Sequence, residues 1–160
     1  MCEHAVSRTR QTRTTVLLPD VNVLIYAHRV DAQLHQRYAD WLVALAESDE
    51  PFALSELVAS AFVRIVTNPK VFKPATPLAD ALAFIEQLRA LPHCHPLRPG
   101  ERNWAVFDRV CRDSQSTGAV VSDAYHAALA IEHGCTFITC DGDFARFPGL
   151  RWQHPLQPKA

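Results

Sequence analysis

An α/β sandwich, with a mostly parallel central sheet and helices packed against it, is the fold class this sequence predicts, and three observations predict it. Short apolar runs alternate with longer stretches of helical periodicity, the signature of strand–helix–strand units around a parallel sheet. The segment from Ala124 to Ile131 is apolar on nearly every side, which suits a helix buried close against a sheet. Acidic or small polar residues directly follow the apolar runs at Asp20, at Ser55 with Glu56, and at Thr139 with Asp141. In a parallel sheet, functional groups collect at the carboxyl ends of strands, so the pattern places these residues at one edge although more than a hundred positions separate the first from the last.

Taken in order, residues 1–14 are polar, carry Arg8, Arg10 and Arg13, and read as a flexible tail. The folded domain is expected over 15–156. Thr15 to Leu18 is a short strand ending at Pro19 and Asp20, and Asn22 to Ala27 follow as a helical turn. Tyr38, Trp41, Leu42 and Leu45 fall on one face of a helix from Leu34 to Ser48. Pro51 to Leu54 reads as the second strand, and Ser55 caps a helix containing Glu56, Leu57, Ala61, Phe62 and Ile65 that Asn68 and Pro69 stop. Thr76, Pro77 and Leu78 open the next helix with a cap and an early proline. A strand near His93 to Leu97, a turn at Pro99 and Gly100, and a helix with Trp104, Phe107 and Cys111 come next. The buried helix is expected from near Ser122 to His133, ended by Gly134; Cys135 to Thr139 is another strand, and Leu150 to Trp152 an edge strand.

Composition narrows the function classes. The 160 residues are 48% hydrophobic, enough to bury one core and too few for two independent domains. Sixteen basic and 17 acidic side chains give a net charge of −1, so no global positive field marks a passive polyanion-binding module; a nuclease survives that balance because divalent cations neutralise phosphate locally. Five cysteines without a CxxC pair, and no secretory h-region, read as reduced thiols in a cytoplasmic protein. His93, Cys94 and His95 alternate across a strand and lack a second ligand pair, which disfavours a zinc site. No apolar run is long enough to span a bilayer.

Four carboxylates carry the chemistry: Asp20, Glu56, Asp123 and Asp141, with Asp143 as a fifth. Singly, all but Asp20 have a plainer role. Glu56 and Asp123, each following a serine, complement a helix N-terminus, and Asp141 and Asp143 form a polar turn around Gly142. Together at one sheet edge they repel one another and raise each other's pKa unless cations intervene. Mg²⁺ or Mn²⁺ suits such hard oxygen donors, and a metal site of this kind serves phosphodiester hydrolysis without a serine or cysteine nucleophile. Asp20 and Asp141 are the first candidates for direct ligands, Glu56 and Asp123 complete or orient the hydration shell, and Asn22 and Thr139 steady ligands or water by hydrogen bonds.

LLPDVNVLIYA around Asp20, SE at Ser55–Glu56, VVSDAYHAALAIEHG around Asp123 and FITCDGDFARFPGL around Asp141 and Asp143 together resemble the PIN domain, and specifically the VapC-like toxins of bacterial toxin–antitoxin systems. The similarity runs from about Thr15 to Leu156. It implies a PIN-like three-layer sandwich in which Asp20, Glu56, Asp123 and Asp141 are the four acids in order. It also implies that Asp143 contributes through water, that Thr139 is the hydroxyl residue before the last acid, and that Asn22 is the companion of the first. The implied activity is Mg²⁺- or Mn²⁺-dependent endoribonuclease cleavage of a tRNA or ribosomal RNA, inhibiting translation and silenced by a cognate VapB-like antitoxin. The arginine-bearing N-terminus departs from the family's pattern and is left out of the mechanism.

Other readings stay open at this level. A metal-dependent nuclease acting on DNA or other structured nucleic acid has the same acids, since short motifs do not report 2′-hydroxyl readout. A noncatalytic binding protein of the same fold would be favoured by loss of an acid, yet all four are present. Arg64 meets RNA phosphate or covers an apolar face with its stem; Arg102 and Arg109 are further candidates for RNA selection. His126 reads as a packed histidine rather than a base, and the aromatic residues are too scattered along the chain to define a base-stacking platform. The stripe of Tyr38, Trp41 and Leu45, with that of Ala61, Phe62 and Ile65, is either core or a groove for an antitoxin helix. A homodimer is the expected assembly.

Overall fold

The computed structural model describes residues 14–157. The tail expected over 1–14 therefore lies, but for Thr14, outside the described residues. Three apolar residues start the sheet: β1 (Leu17–Pro19) lies at its centre, between β2 (Phe52–Ser55) and β4 (Thr136–Ile138). β3 (Cys94–Leu97) and β5 (Trp152–Gln153) form the edges, giving the order β3-β2-β1-β4-β5 with every pairing parallel. Pro19, which has no N–H to donate, is the last residue of the central strand, and on the β4 side the ladder continues one step further through the Asp20 N–H, which donates to the Ile138 carbonyl at 2.8 Å.

Alternation along these strands divides the interior into two cores. Leu17, Phe52, Leu54 and Ile138 face one side, with α1 (Val21–His28), α2 (His35–Glu47), α3 (Glu56–Val66) and α4 (Leu78–Arg89). Leu18, Ala53, Leu97 and Phe137 face the other, with α5 (Asn103–Ser114) and α6 (Val120–His133). Helices on both faces of one sheet make the expected three-layer α/β sandwich. α6 lies close to the sheet because its buried face is Ala124, Ala127, Ala128, Leu129 and Ala130, and small side chains permit that approach. Its end is the expected one: Gly134 adopts φ 65°, the left-handed conformation of a helix C-cap.

Three local expectations are corrected. α6 starts at Val120, with Ala119 in the cap position and no side-chain cap, so Ser122 and Asp123 lie inside its first turn rather than at its opening. Thr76 does not cap α4, whose cap position is Pro77; its buried hydroxyl is engaged by His28 Nε2 at 3.1 Å and Arg29 Nη1 at 3.3 Å. The two stripes offered as an antitoxin groove are internal packing at their centres, with Tyr38 4%, Leu45 5% and Phe62 0% exposed. Phe62 stacks on Phe84 at a centroid distance of 4.8 Å, so the face is already covered from within the chain.

Candidate active site at the carboxyl edge of the sheet

The carboxyl ends of β1 and β4 bring Asp20 and Thr139 together across 119 positions of sequence. Asp20 is the cap of α1 and accepts the Val21 N–H on Oδ1 at 2.7 Å. Its Oδ2 accepts the Thr139 hydroxyl at 2.7 Å. Thr139 is fully buried, and the same hydroxyl oxygen accepts the Asp141 N–H at 3.1 Å. One side chain thus ties the first acid to the backbone that carries the last. Asp141 in turn caps the 3-10 helix Gly142–Arg146, its Oδ1 accepting the Asp143 N–H at 2.9 Å.

Electrostatics couples a third carboxylate to this pair. Burial raises the pKa of Asp20; the hydrogen bonds from Thr139 and Val21 pull it down, and the charge of Asp141 pushes it up again. Asp123 is also raised, first by burial and then by the charge of Asp141, with Asp20 adding to the effect while His126 and Arg146 oppose it. The charge of Asp141 thus acts on two carboxylates, Asp20 after β1 and Asp123 in α6, and repulsion of this kind, added to burial, is the condition that a divalent cation relieves. Among the described residues no three His, Cys, Asp or Glu side chains stand as a ready-made metal cage. The oxygen donor set nevertheless fits Mg²⁺, which commonly takes one or two carboxylates and fills its remaining positions with water and substrate.

The other sequence candidates sit around this centre. Glu56 begins α3 but pairs with Arg98, Nη2 to Oε1 at 3.0 Å, both side chains being exposed. The charges raising Asp123 come from Asp141 and Asp20, with Glu56 not among them. Asp143 is exposed, Asn22 is half-buried in the first turn of α1, and Arg64 is exposed on α3. His126 is stacked against Phe137 at 6.1 Å, and its pKa is lowered by burial against the pull of Asp123. Beside the acids an open groove of about 850 Å³ runs between α3 on one side and α5 and α6 on the other, its wall including Glu56, Arg64, Arg98, Ser122 and His126.

The family model described as PIN domain matches residues 17–150. Ribonuclease VapC43 of Mycobacterium tuberculosis is 44% identical over 141 residues, covering 88% of this chain and 96% of its own length. The chain belongs to the VapC family of PIN-domain proteins. Ribonuclease VapC25 of the same species is 39% identical over 140 residues, covering 88% of this chain and 99% of the relative. Among solved structures, VapBC2 from Rickettsia felis, bound to a DNA fragment from their promoter, superposes with a TM-score of 0.63 at 15% identity, covering 87% of this chain and 98% of that one; at that identity the likeness is one of fold.

Of the residues the motifs singled out, the structure links Asp20, Thr139 and Asp141 by hydrogen bonds and Asp123 to them by charge; Arg98, the partner of Glu56, was not among them. The signal existed. Parallel pairing of β2 and β3 sets Ser55 opposite Leu97, so the next residues, Glu56 and Arg98, leave the sheet side by side. Trp104, Phe107 and Tyr125 correct the impression of scattered aromatics: their rings follow one another at 5.4 Å and 5.5 Å across α5 and α6.

Proposed function

We propose that this protein is the toxin of a toxin–antitoxin pair, an endoribonuclease that hydrolyses phosphodiester bonds in cellular RNA, tRNA or ribosomal RNA, with Mg²⁺ or Mn²⁺ held at Asp20, Asp123 and Asp141. What supports the reading is the hydrogen bond that ties buried Asp20 to Thr139 at the carboxyl edge of a parallel sheet, together with the charge of Asp141 acting on both Asp20 and Asp123. Kinship with proteins named as ribonucleases supports the choice of RNA. When bound, the cation neutralises phosphate charge and acidifies a water.

The chain's own residues prepare that chemistry. Thr139 donates to one Asp20 oxygen and accepts the Asp141 N–H, so a single buried hydroxyl sets the orientation of one acid and the backbone of another. Each Asp20 oxygen accepts one hydrogen bond, and a carboxylate oxygen retains a further lone pair for a ligand. Glu56 at the groove rim and Asp143 beyond Asp141 orient water around the site, while Asn22 steadies the turn behind Asp20. Arg64 draws the phosphate backbone toward the acids. A VapB-like antitoxin silences the enzyme, a role supported by the likeness to a VapBC structure, and the working assembly is a homodimer in the cytoplasm.

The test is cleavage of total RNA by the purified protein with Mg²⁺, with EDTA, and with Asp20→Asn in place of the parent. Discrete new 5′ ends that require the metal and the Asp20 carboxylate are expected. Equal cleavage by Asp20→Asn, or cleavage of DNA in preference to RNA, would refute the proposal.

A further inference from the structure

The groove beside the acids has a chemistry of its own that phosphodiester hydrolysis alone does not need. Its volume, about 850 Å³, lies in the range of small-molecule and cofactor sites, about 300–1,000 Å³. One wall is the outward face of α3, where Ser60 and Arg64 follow Glu56 at four-residue spacing. The opposite wall presents Phe107 and Tyr125, half-buried and in edge-to-face contact with ring centroids 5.5 Å apart. Trp104 continues the aromatic row and is 72% exposed. Two guanidinium groups, Arg64 and Arg98, line the groove in a chain whose net charge is −1. Arg64 has no carboxylate partner among the described residues, and the exposed Arg98–Glu56 pair is of the weak kind that exchanges readily for another anion.

Resting on the nuclease reading, we infer that this groove is a subsite for unpaired nucleotides of the RNA strand flanking the scissile phosphate. A base lies against Phe107 and Tyr125, and Arg64 and Arg98 hold the neighbouring phosphates. Ring faces are what an unstacked base seeks and a paired one hides. Guanidinium groups match phosphate, and the combination of a positive groove with aromatic side chains is the general solution for single strands. The groove meets the acidic centre through Ser122 and His126, on the same helix as Asp123, so a strand seated there passes its backbone toward Asp20 and Asp141. Cleavage is thereby directed to loops and other single-stranded regions.

Binding is measured apart from cleavage by using the full chain carrying Asp20→Asn, in EDTA, with a fluorescein-labelled short oligoribonucleotide as a single strand and in a duplex, read by anisotropy. The single strand is expected to bind more tightly than the duplex. Adding Arg64→Ala lowers the slope of log affinity against log salt by about 0.7, and adding Tyr125→Leu or Phe107→Leu, which keep apolar bulk but remove the ring, lowers affinity for the single strand by about tenfold. Circular dichroism confirms that each variant is folded. Unchanged affinity and salt slope in all three would overturn the subsite while leaving the nuclease reading intact if the parent still cuts the strand with Mg²⁺. A parent that neither binds nor cuts RNA would remove both readings. If the substitutions change the sedimenting mass but not RNA affinity, the groove is a contact between copies and the subsite is wrong.

Discussion

Thr139→Val removes one hydroxyl from a fully buried position and tests whether that hydroxyl organises the acidic centre. The bond lost is the 2.7 Å donation to Asp20 Oδ2, and a hydrogen bond to a charged acceptor is worth about 1.5–3 kcal/mol. The Asp141 N–H also loses its acceptor, but Asp141 is only half-buried, so water replaces much of that bond. The added methyl returns about 0.8 kcal/mol of burial. The net expectation is a loss of about 2 kcal/mol at pH 7, measured by urea unfolding in EDTA. The pH dependence has a defined sign. Thr139 holds the Asp20 pKa down against burial, so the variant's folded-state pKa rises further above the ordinary value of 3.8. The difference between parent and variant is full above both folded-state values and shrinks as pH falls through them. A variant within about 0.5 kcal/mol of the parent at pH 7, or a difference that grows toward low pH, would refute this account of Thr139.

Two further outcomes follow from the same geometry. Because the folded-state pKa values of Asp20 and Asp123 are raised, their ionised forms oppose folding: without metal, this contribution is most favourable below the unfolded values and stability is lost as pH rises through the folded ones. Mg²⁺ or Mn²⁺ should therefore raise the melting temperature, and by more at pH 7 than at pH 5, approaching about 2.7 kcal/mol at a hundred times the Kd; calorimetry showing no shift would count against the metal. Gly134→Ala places a Cβ on a residue at φ 65° with only Arg151 Nη2, 3.9 Å away, as a near neighbour, so backbone strain alone costs about 1 kcal/mol. Urea midpoints that do not move would show that the α6 cap is not strained by a side chain.

How much was legible in the sequence depended on whether the deciding contact was local. Ser55 was readable as a cap because its hydroxyl meets Val58 N–H three residues on, at 3.1 Å, and Gly134 as a stop because a left-handed cap is a property of one residue. Asp20, Thr139 and Asp141 were placed at one edge by the rule that parallel strands share an orientation, without any contact being known. Thr76 was misread as a cap because its partners, His28 and Arg29, lie 48 and 47 positions away. The start of α6 was missed because Ser122 imitates a cap while the real break is Gly118 at φ 59°, after which Val120 N–H bonds back to Thr117. Amphipathic periodicity gave the faces of α2 and α3 but not their partner: Tyr38 and Phe62 meet their own chain. The aromatic row was invisible because Phe107 and Tyr125 become neighbours only when α5 packs on α6.

The most direct measurement of the central claim is the rate of cleavage of one defined RNA as Mg²⁺ is titrated, for the parent and for Asp20→Asn, Asp123→Asn and Asp141→Asn purified identically. The acids act as one centre, so each substitution should lower the rate at a given Mg²⁺ concentration by at least about a hundredfold, with each protein retaining its helical circular dichroism. Any one of the three cutting at the parental rate over the whole titration would contradict the claim that these carboxylates form a single metal-dependent ribonuclease centre.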